Sequence, residues 1–312
     1  MRELELDREL RRQRPPRARL RRSWLLYAML APPLALLAIF SYAPLYGLIM
    51  AFQNYSPAKG FSGSEFVGLK WFRMAMGMPD FKNILANTLS MAVGKIACGQ
   101  LAAIVFALLL SEIRNMPYKR TVQTIAYFPH FLSWVIIGGV FIDLLSTRGL
   151  VNQLIGLFGA SPVFFLGSSG HFQPTMIALE TWKEFGYGAI IYLAAITGIS
   201  HELYEAATID GAGRLKRVWH VTLPGISVTI VMLAVLAIGG ILSAGFDQIL
   251  VMYNPAVYET GDILDTFIYR QGLIDAQFSL STAIGLFKSA IGLALMLLAN
   301  GLASKFAGYR IF

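Results

Sequence analysis

Six stretches of the chain are free or nearly free of charge: Trp24 to Phe52, Ile84 to Leu110, Val122 to Leu145, Pro174 to Ser200, Pro224 to Phe246 and Ser279 to Ala303. Each is longer than the roughly 20 residues a helix needs to cross a bilayer. Buried helices of a globular protein do not account for the pattern, because a soluble fold has too little interior to cover six such runs. The pattern therefore predicts an all-α, polytopic membrane protein with six transmembrane helices. The first run exceeds the 7 to 15 apolar residues of a cleavable signal peptide. Pro32, Pro33 and Pro44 lie inside it, so it is expected to be an uncleaved helix that is bent or interrupted. Gly138, Gly139, Gly239, Gly240, Gly285 and Gly292 also fall within runs, where small residues let helices approach closely.

Composition strengthens this reading. Of 312 residues, 56% are apolar and 14% charged, against about 25% charged in ordinary soluble domains. The net charge of +8 could suggest a nucleic acid, but nine arginines lie between Arg2 and Arg22, directly before the first apolar run. That placement is a topology signal, and nucleic-acid binding is set aside. If six helices put both termini on one side, that side carries seventeen Lys and Arg: nine in the tail, three before Val122, three between His201 and His220, and two at the C-terminus. The opposite side carries six. Both termini are expected to be cytoplasmic, with 1–23 a basic tail and 24–312 the membrane domain. Cys98 is the single cysteine, so no disulfide framework or cysteine metal site can form within the chain.

The segment after the fourth run, about 200–224, carries the most specific signal. Ser200 is placed to cap a helix, Glu202 and Glu205 suit its positive N-terminus, and Leu203, Ala206 and Ala207 share one face. Gly211 and Gly213 then let the chain turn. A short amphipathic helix with small residues on one face suits a groove on a partner.

Glu205-Ala206-Ala207, then Asp210-Gly211-Ala212, Trp219 and Leu223-Pro224, resemble the EAA loop of bacterial ABC-importer permeases. The resemblance implies the type I ABC importer permease fold and a coupling helix, from Glu205 to Gly211, that docks on a separate ATPase subunit. Trp219 stands where phenylalanine is usual and His220 is unusual beside it, but both keep bulk. Phe66-Val67-Gly68-Leu69 with Trp71-Phe72, and Asn87-Thr88, look like the carbohydrate-uptake branch. Met252 to Asp262, Leu264-Asp265-Thr266 and Gly308-Tyr309-Arg310 are similar to permeases of lipoprotein-dependent polysaccharide or oligosaccharide uptake, a subgroup serving plant-cell-wall and other polymer fragments, alginate among them. The resemblance implies a second homologous permease, ABC ATPase subunits, an extracytoplasmic solute-binding protein, an oligosaccharide substrate and a bacterial cytoplasmic membrane as the location.

No G-x-x-x-x-G-K-[ST] phosphate loop occurs in the sequence. The chain itself is therefore expected not to bind or hydrolyse ATP, and the resemblance implies that ATP and Mg sit on the partner ATPase, with no cofactor, catalytic or metal site in this chain. An ATP-independent secondary transporter or channel is the competing class. It calls for inverted repeats or a coupling-ion site, and only the proline-broken first run favours it.

Polar groups inside the runs cost at least about 2.5 to 3.5 kcal/mol each to insert and so mark candidate sites. Glu180 shares a helical face with Lys183 and Glu184, so an internal ion pair is expected there, serving either packing or a pathway. Sugars stack on aromatic rings and hydrogen-bond to amides and carboxylates. On that basis Trp182, Tyr187, Phe246, Asp247, Gln248, Tyr253 and Asn254 are candidate pathway residues. Lys288 could meet an anionic sugar; the expectation is a structural pair with a carboxylate such as Asp143. Glu259, Asp262, Asp265 and Asp275, against Arg270, make the fifth loop acidic and outward-facing, either for partner contact or for solubility. His130, His171, His201 and His220 lack metal-ligand spacing.

Overall fold

The computed structural model describes residues 24–306 and is almost entirely helical. The basic tail and the Gly308-Tyr309-Arg310 motif lie outside the described residues.

The first apolar run forms one continuous helical span, Trp24–Phe52. It begins as α1 (Trp24–Leu37), loosens to a π turn at Ala38–Tyr42 and tightens to a 3-10 helix at Ala43–Phe52. The expected bend or interruption is absent. Pro32 and Pro33 sit within regular α-helix, and the irregularity is absorbed by changing the hydrogen-bond pattern around Pro44. No side chain of α1 is buried, so its apolar surface has only lipid or another chain to meet.

A two-stranded ribbon, β1 (Gln53–Asn54) with β2 (Glu65–Phe66), follows, and α2 (Lys70–Gly77) leads into α3 (Phe81–Ser111). The Phe66 to Trp71 motif holds this end together. Val67 and Gly68 donate backbone N–H bonds to Phe52 O, and Trp71 Nε1 donates to Gln53 O at 2.9 Å. Ser279 Oγ, from the last helix, donates to the same Gln53 carbonyl at 2.7 Å.

The third run is α4 (Met116–Tyr127) and α5 (Trp134–Leu144), bent by 99° just after the 3-10 turn Phe128–Phe131. After the outer helix α6 (Leu150–Leu157), α7 (Ser169–Thr197) runs back along α3. The fifth run is bent by 57° between α9 (Arg214–Gly225) and α10 (Ser227–Gly239). It breaks again before α11 (Phe246–Met252). The last helices are α12 (Leu264–Tyr269) and α13 (Phe278–Phe306).

Among the described residues, three helices are long and apolar enough to cross a membrane, or up to five if each bent pair is one span. At about 1.5 Å per residue the 29-residue α7 is equally long. It carries three charged residues, Glu180, Lys183 and Glu184, at its middle, where α3 carries Lys95.

The core is built from faces of α3 and α7. Met91, Phe172, Met176, Ile249 and Ile263 form one buried cluster, and Ala103, Ala107, Ala189, Tyr192 and Ile226 another. Small residues set the approach. Gly138 of α5 packs on Val251, whereas Gly139, Gly285 and Gly292 have no such neighbour among the described residues.

The Asn87-Thr88 pair explains the fifth loop. Asn87 Nδ2 donates to the carbonyls of Glu259 (2.9 Å) and Asp262 (3.2 Å), and Thr88 Oγ1 accepts from Leu264 N–H at 2.9 Å. Gln173 Nε2 donates to Thr260 O at 2.7 Å. The loop is thus drawn into the bundle, and Asp262 is buried, bonded to Thr266 Oγ1 and ion-paired with Arg270. The expectation that the loop's carboxylates face outward fails at Asp262, because a paired carboxylate can be buried where a free one cannot. Asp265 is likewise engaged, by Lys288. Lys288 thus pairs with a carboxylate as expected, but the carboxylate is Asp265, delivered by the inward-folded loop, rather than Asp143.

Candidate functional site

Two regions carry the candidate residues. The first is α8 (His201–Ile209) with the turn that follows. Ser200 occupies the N-cap position without a side-chain capping bond. The other end is closed by a Schellman turn: Gly211 N–H donates to Thr208 O at 3.0 Å and Ala212 N–H to Ala207 O at 2.8 Å. Gly211 has φ +74°, the left-handed conformation this turn requires. The Ala-Ala and Asp-Gly-Ala elements of the motif are therefore the last turn of a helix and its stop. Tyr204 Oη lies 3.0 Å from the buried Thr222 Oγ1, tying α8 to the start of the fifth run, and Leu223-Pro224 continue that run. No residue of α8 is buried. Leu203, Ile209, Leu215 and Trp219 are all exposed, leaving apolar side chains with no covering partner among the described residues.

The second region is a cavity of about 780 Å³ whose walls come from α7, the break in the fifth run, α12 and α13. That volume falls within the range of small-molecule sites. Its polar wall is Glu180, Lys183, Glu184, Asp247 and Asp265; Trp134, Phe246, Tyr269 and Phe278 supply aromatic surface. The charges are largely balanced by neighbours. Lys183 Nζ is 2.8 Å from Glu184 Oε1 and 3.0 Å from His130 O, and His130 Nδ1 is 2.7 Å from Glu184 Oε2. Glu180, expected to pair within α7, instead faces Lys95 of α3, 3.9 Å away. Adjacent residues 183 and 184 pair with each other because both reach toward the bend of the third run. Asp247 is exposed and has no ion-pair partner among the described residues.

Of the seven candidate pathway residues, Phe246 and Asp247 line this cavity. Gln248 lies behind them, fully buried and bonded to Lys95 and to Met176 O. Trp182 lines a separate apolar groove of about 630 Å³ with Leu132, Ile136 and Phe141. Tyr187 stacks on His130, rings 3.8 Å apart and nearly parallel. Asn254 caps the turn at Pro255 and donates to Leu166 O. Tyr253 packs against Tyr258, and burial holds its phenol above the ordinary range. Lys95, Trp134, Asp265 and Tyr269 were missed as site residues. Lys95 is a charge inside an apolar run, and that was the available signal.

The family model for the binding-protein-dependent transport system inner membrane component matches residues 95–308. The polygalacturonan/rhamnogalacturonan transport system permease protein YteP of Bacillus subtilis (strain 168) is 44% identical over 288 residues, covering 92% of this chain and 90% of that protein. Protein LplB of the same organism is 42% identical over 296 residues, 95% of this chain and 93% of its own length. Among solved structures, a chain of a bacterial alginate ABC transporter in complex with an alginate pentasaccharide-bound periplasmic protein superposes with a TM-score of 0.86. It is 37% identical, covering 94% of this chain and 99% of that one.

Proposed function

The chain belongs to the binding-protein-dependent transport system inner membrane components, and from that premise we propose that it is the permease subunit of an ABC importer that admits oligosaccharides, fragments of acidic plant or algal polysaccharides being the favoured class. It is a transport subunit rather than an enzyme. Relatives named for polygalacturonan and alginate transport support the substrate class.

In this reading the six apolar runs are six spans, α7 being the fourth, with both termini and the basic tail 1–23 in the bacterial cytoplasm. An ATPase subunit, holding ATP and Mg, docks on α8 through Glu205, Ala206, Ala207, Asp210, Gly211 and Ala212. Leu223 and Pro224 transmit its movement into the fifth span. A second, homologous permease closes the open side of the cavity, and an extracytoplasmic binding protein delivers the sugar. The observation that carries the reading is α8 itself, a helix closed by a Schellman turn with no residue buried and its apolar side chains uncovered among the described residues.

The sugar's path is the cavity, where Phe246 and Tyr269 offer ring faces and Asp247 a free carboxylate for hydroxyls. Alternating access then follows from ATP-driven displacement of α8, which pulls the broken fifth span relative to α7. The test is ATP hydrolysis by the four-component complex in liposomes. Stimulation by an oligosaccharide-loaded binding protein, lowered by changing Glu205 or Gly211, is the expected result; solute uptake by the chain alone without ATP would replace the importer reading with a secondary transporter.

A further inference from the structure

The fifth run does not simply kink. After α10 it makes a short 3-10 turn, Ile241–Ser243, and then two consecutive left-handed residues, Ala244 at φ +40° and Gly245 at φ +83°, before α11 begins. Such a break strands backbone groups at membrane depth, where nothing but protein or an aqueous cavity can satisfy them. An alanine in this conformation is also held there against its own preference.

Lys95 fills the gap. It projects from the middle of α3, is buried, and donates to Ala244 O at 2.7 Å and to the side-chain oxygen of Gln248. Gln248 in turn donates to Met176 O of α7 at 2.9 Å. A Cβ at position 245 would stand 2.5 Å from the Lys95 nitrogen, so the ammonium occupies space that only glycine leaves free. Glu180 Oε2 lies 3.9 Å off, near enough to favour the charge and too far for a hydrogen bond. The neighbouring residues Ser243, Phe246 and Asp247 form one wall of the cavity.

We propose that Lys95 is a positioning residue for transport: by clamping the Ala244-Gly245 break to α3 and α7, it sets the cavity wall that Ser243, Phe246 and Asp247 present to the passing sugar. This rests on the cavity being the transport path. A charge buried in a span is retained where its donors have fixed partners, and here those partners are a broken helix end and the amide next to the wall.

The experiment uses the full complex in liposomes, with Cys98→Ser and a cysteine at Ser243, which is exposed in the cavity. A membrane-impermeant thiol reagent is applied with and without ATP, and uptake per ATP hydrolysed is measured in parallel. With Lys95 present, Ser243→Cys is expected to label and to be protected by the oligosaccharide. Lys95→Met is expected to change the labelling rate and its protection, and to lower uptake per ATP severalfold. Gln248→Leu and Gly245→Ala disturb the same clamp from its other sides. They are expected to act in the same direction, and they supply the readout should the Lys95→Met complex not assemble. Unchanged labelling, protection and coupling in the clamp variants overturns the Lys95 proposal and leaves the pathway intact. Absence of labelling at Ser243 with Lys95 in place overturns the pathway reading and this proposal with it.

Discussion

Replacing Gly211 tests whether the end of α8 is what couples the chain to its ATPase. The Schellman turn needs residue 211 at φ +74°, and a Cβ built there meets no atom within 4 Å. The penalty for a side chain is therefore conformational rather than steric within this chain. An L-residue in the left-handed region loses about 1 to 2 kcal/mol, which lowers the population of the native helix end by a factor of roughly 5 to 30. Asparagine tolerates this region better than alanine, and a β-branched residue worst. The expected order of substrate-stimulated ATP hydrolysis is Gly, then Gly211→Asn, then Gly211→Ala, then Gly211→Val. The assay is the four-component complex in liposomes at saturating binding protein, with ATPase retention on the permease measured by co-purification. A Gly211→Val complex as active as the parent would refute the argument. An asparagine variant as poor as the valine variant would assign the loss to bulk at the docking surface instead.

Other consequences are open to measurement. Arg270→Met leaves Asp262 buried and unpaired, at a cost of about 3 to 5 kcal/mol; the solubilised protein should unfold at clearly lower temperature, and the Asp262→Asn, Arg270→Met double variant should recover part of the loss. Thr88→Val removes the acceptor for Leu264 N–H, stranding a buried donor at about 1 to 3 kcal/mol. Limited proteolysis of the 258–264 loop should accelerate in that variant. Asp247→Asn keeps the shape of the wall and removes its free carboxylate, so uptake should change in its apparent KM for the sugar while unstimulated ATP hydrolysis stays near the parent level.

The apolar runs were legible because span-length hydropathy depends on composition alone: Ile84 to Leu110 lies inside Phe81–Ser111, and Ser279 to Ala303 inside Phe278–Phe306. The helix and glycine stop after Ser200 were legible because their signals are local. Breaks were not, since an apolar run reads alike whether its helix is straight or bent by 99° between Phe131 and Trp134. Gly240 and Gly245 flank the second break, but a glycine within an apolar run suits close packing as readily as a break. Ion-pair partners were misread for the same reason. Helical spacing suggested Glu180 with Lys183, but the pairing is set by contacts between helices, with Lys95 reaching residues about 150 positions away. Lys288 found Asp265 because Asn87 and Thr88 fold the fifth loop inward, which no local pattern announces.

The most direct test of the central claim is uptake of a labelled oligouronide into liposomes holding this chain with its companion permease and ATPase, with the binding protein outside. Uptake that requires ATP, the loaded binding protein and an intact α8 is the predicted result. ATP-independent uptake by the purified chain alone would contradict it.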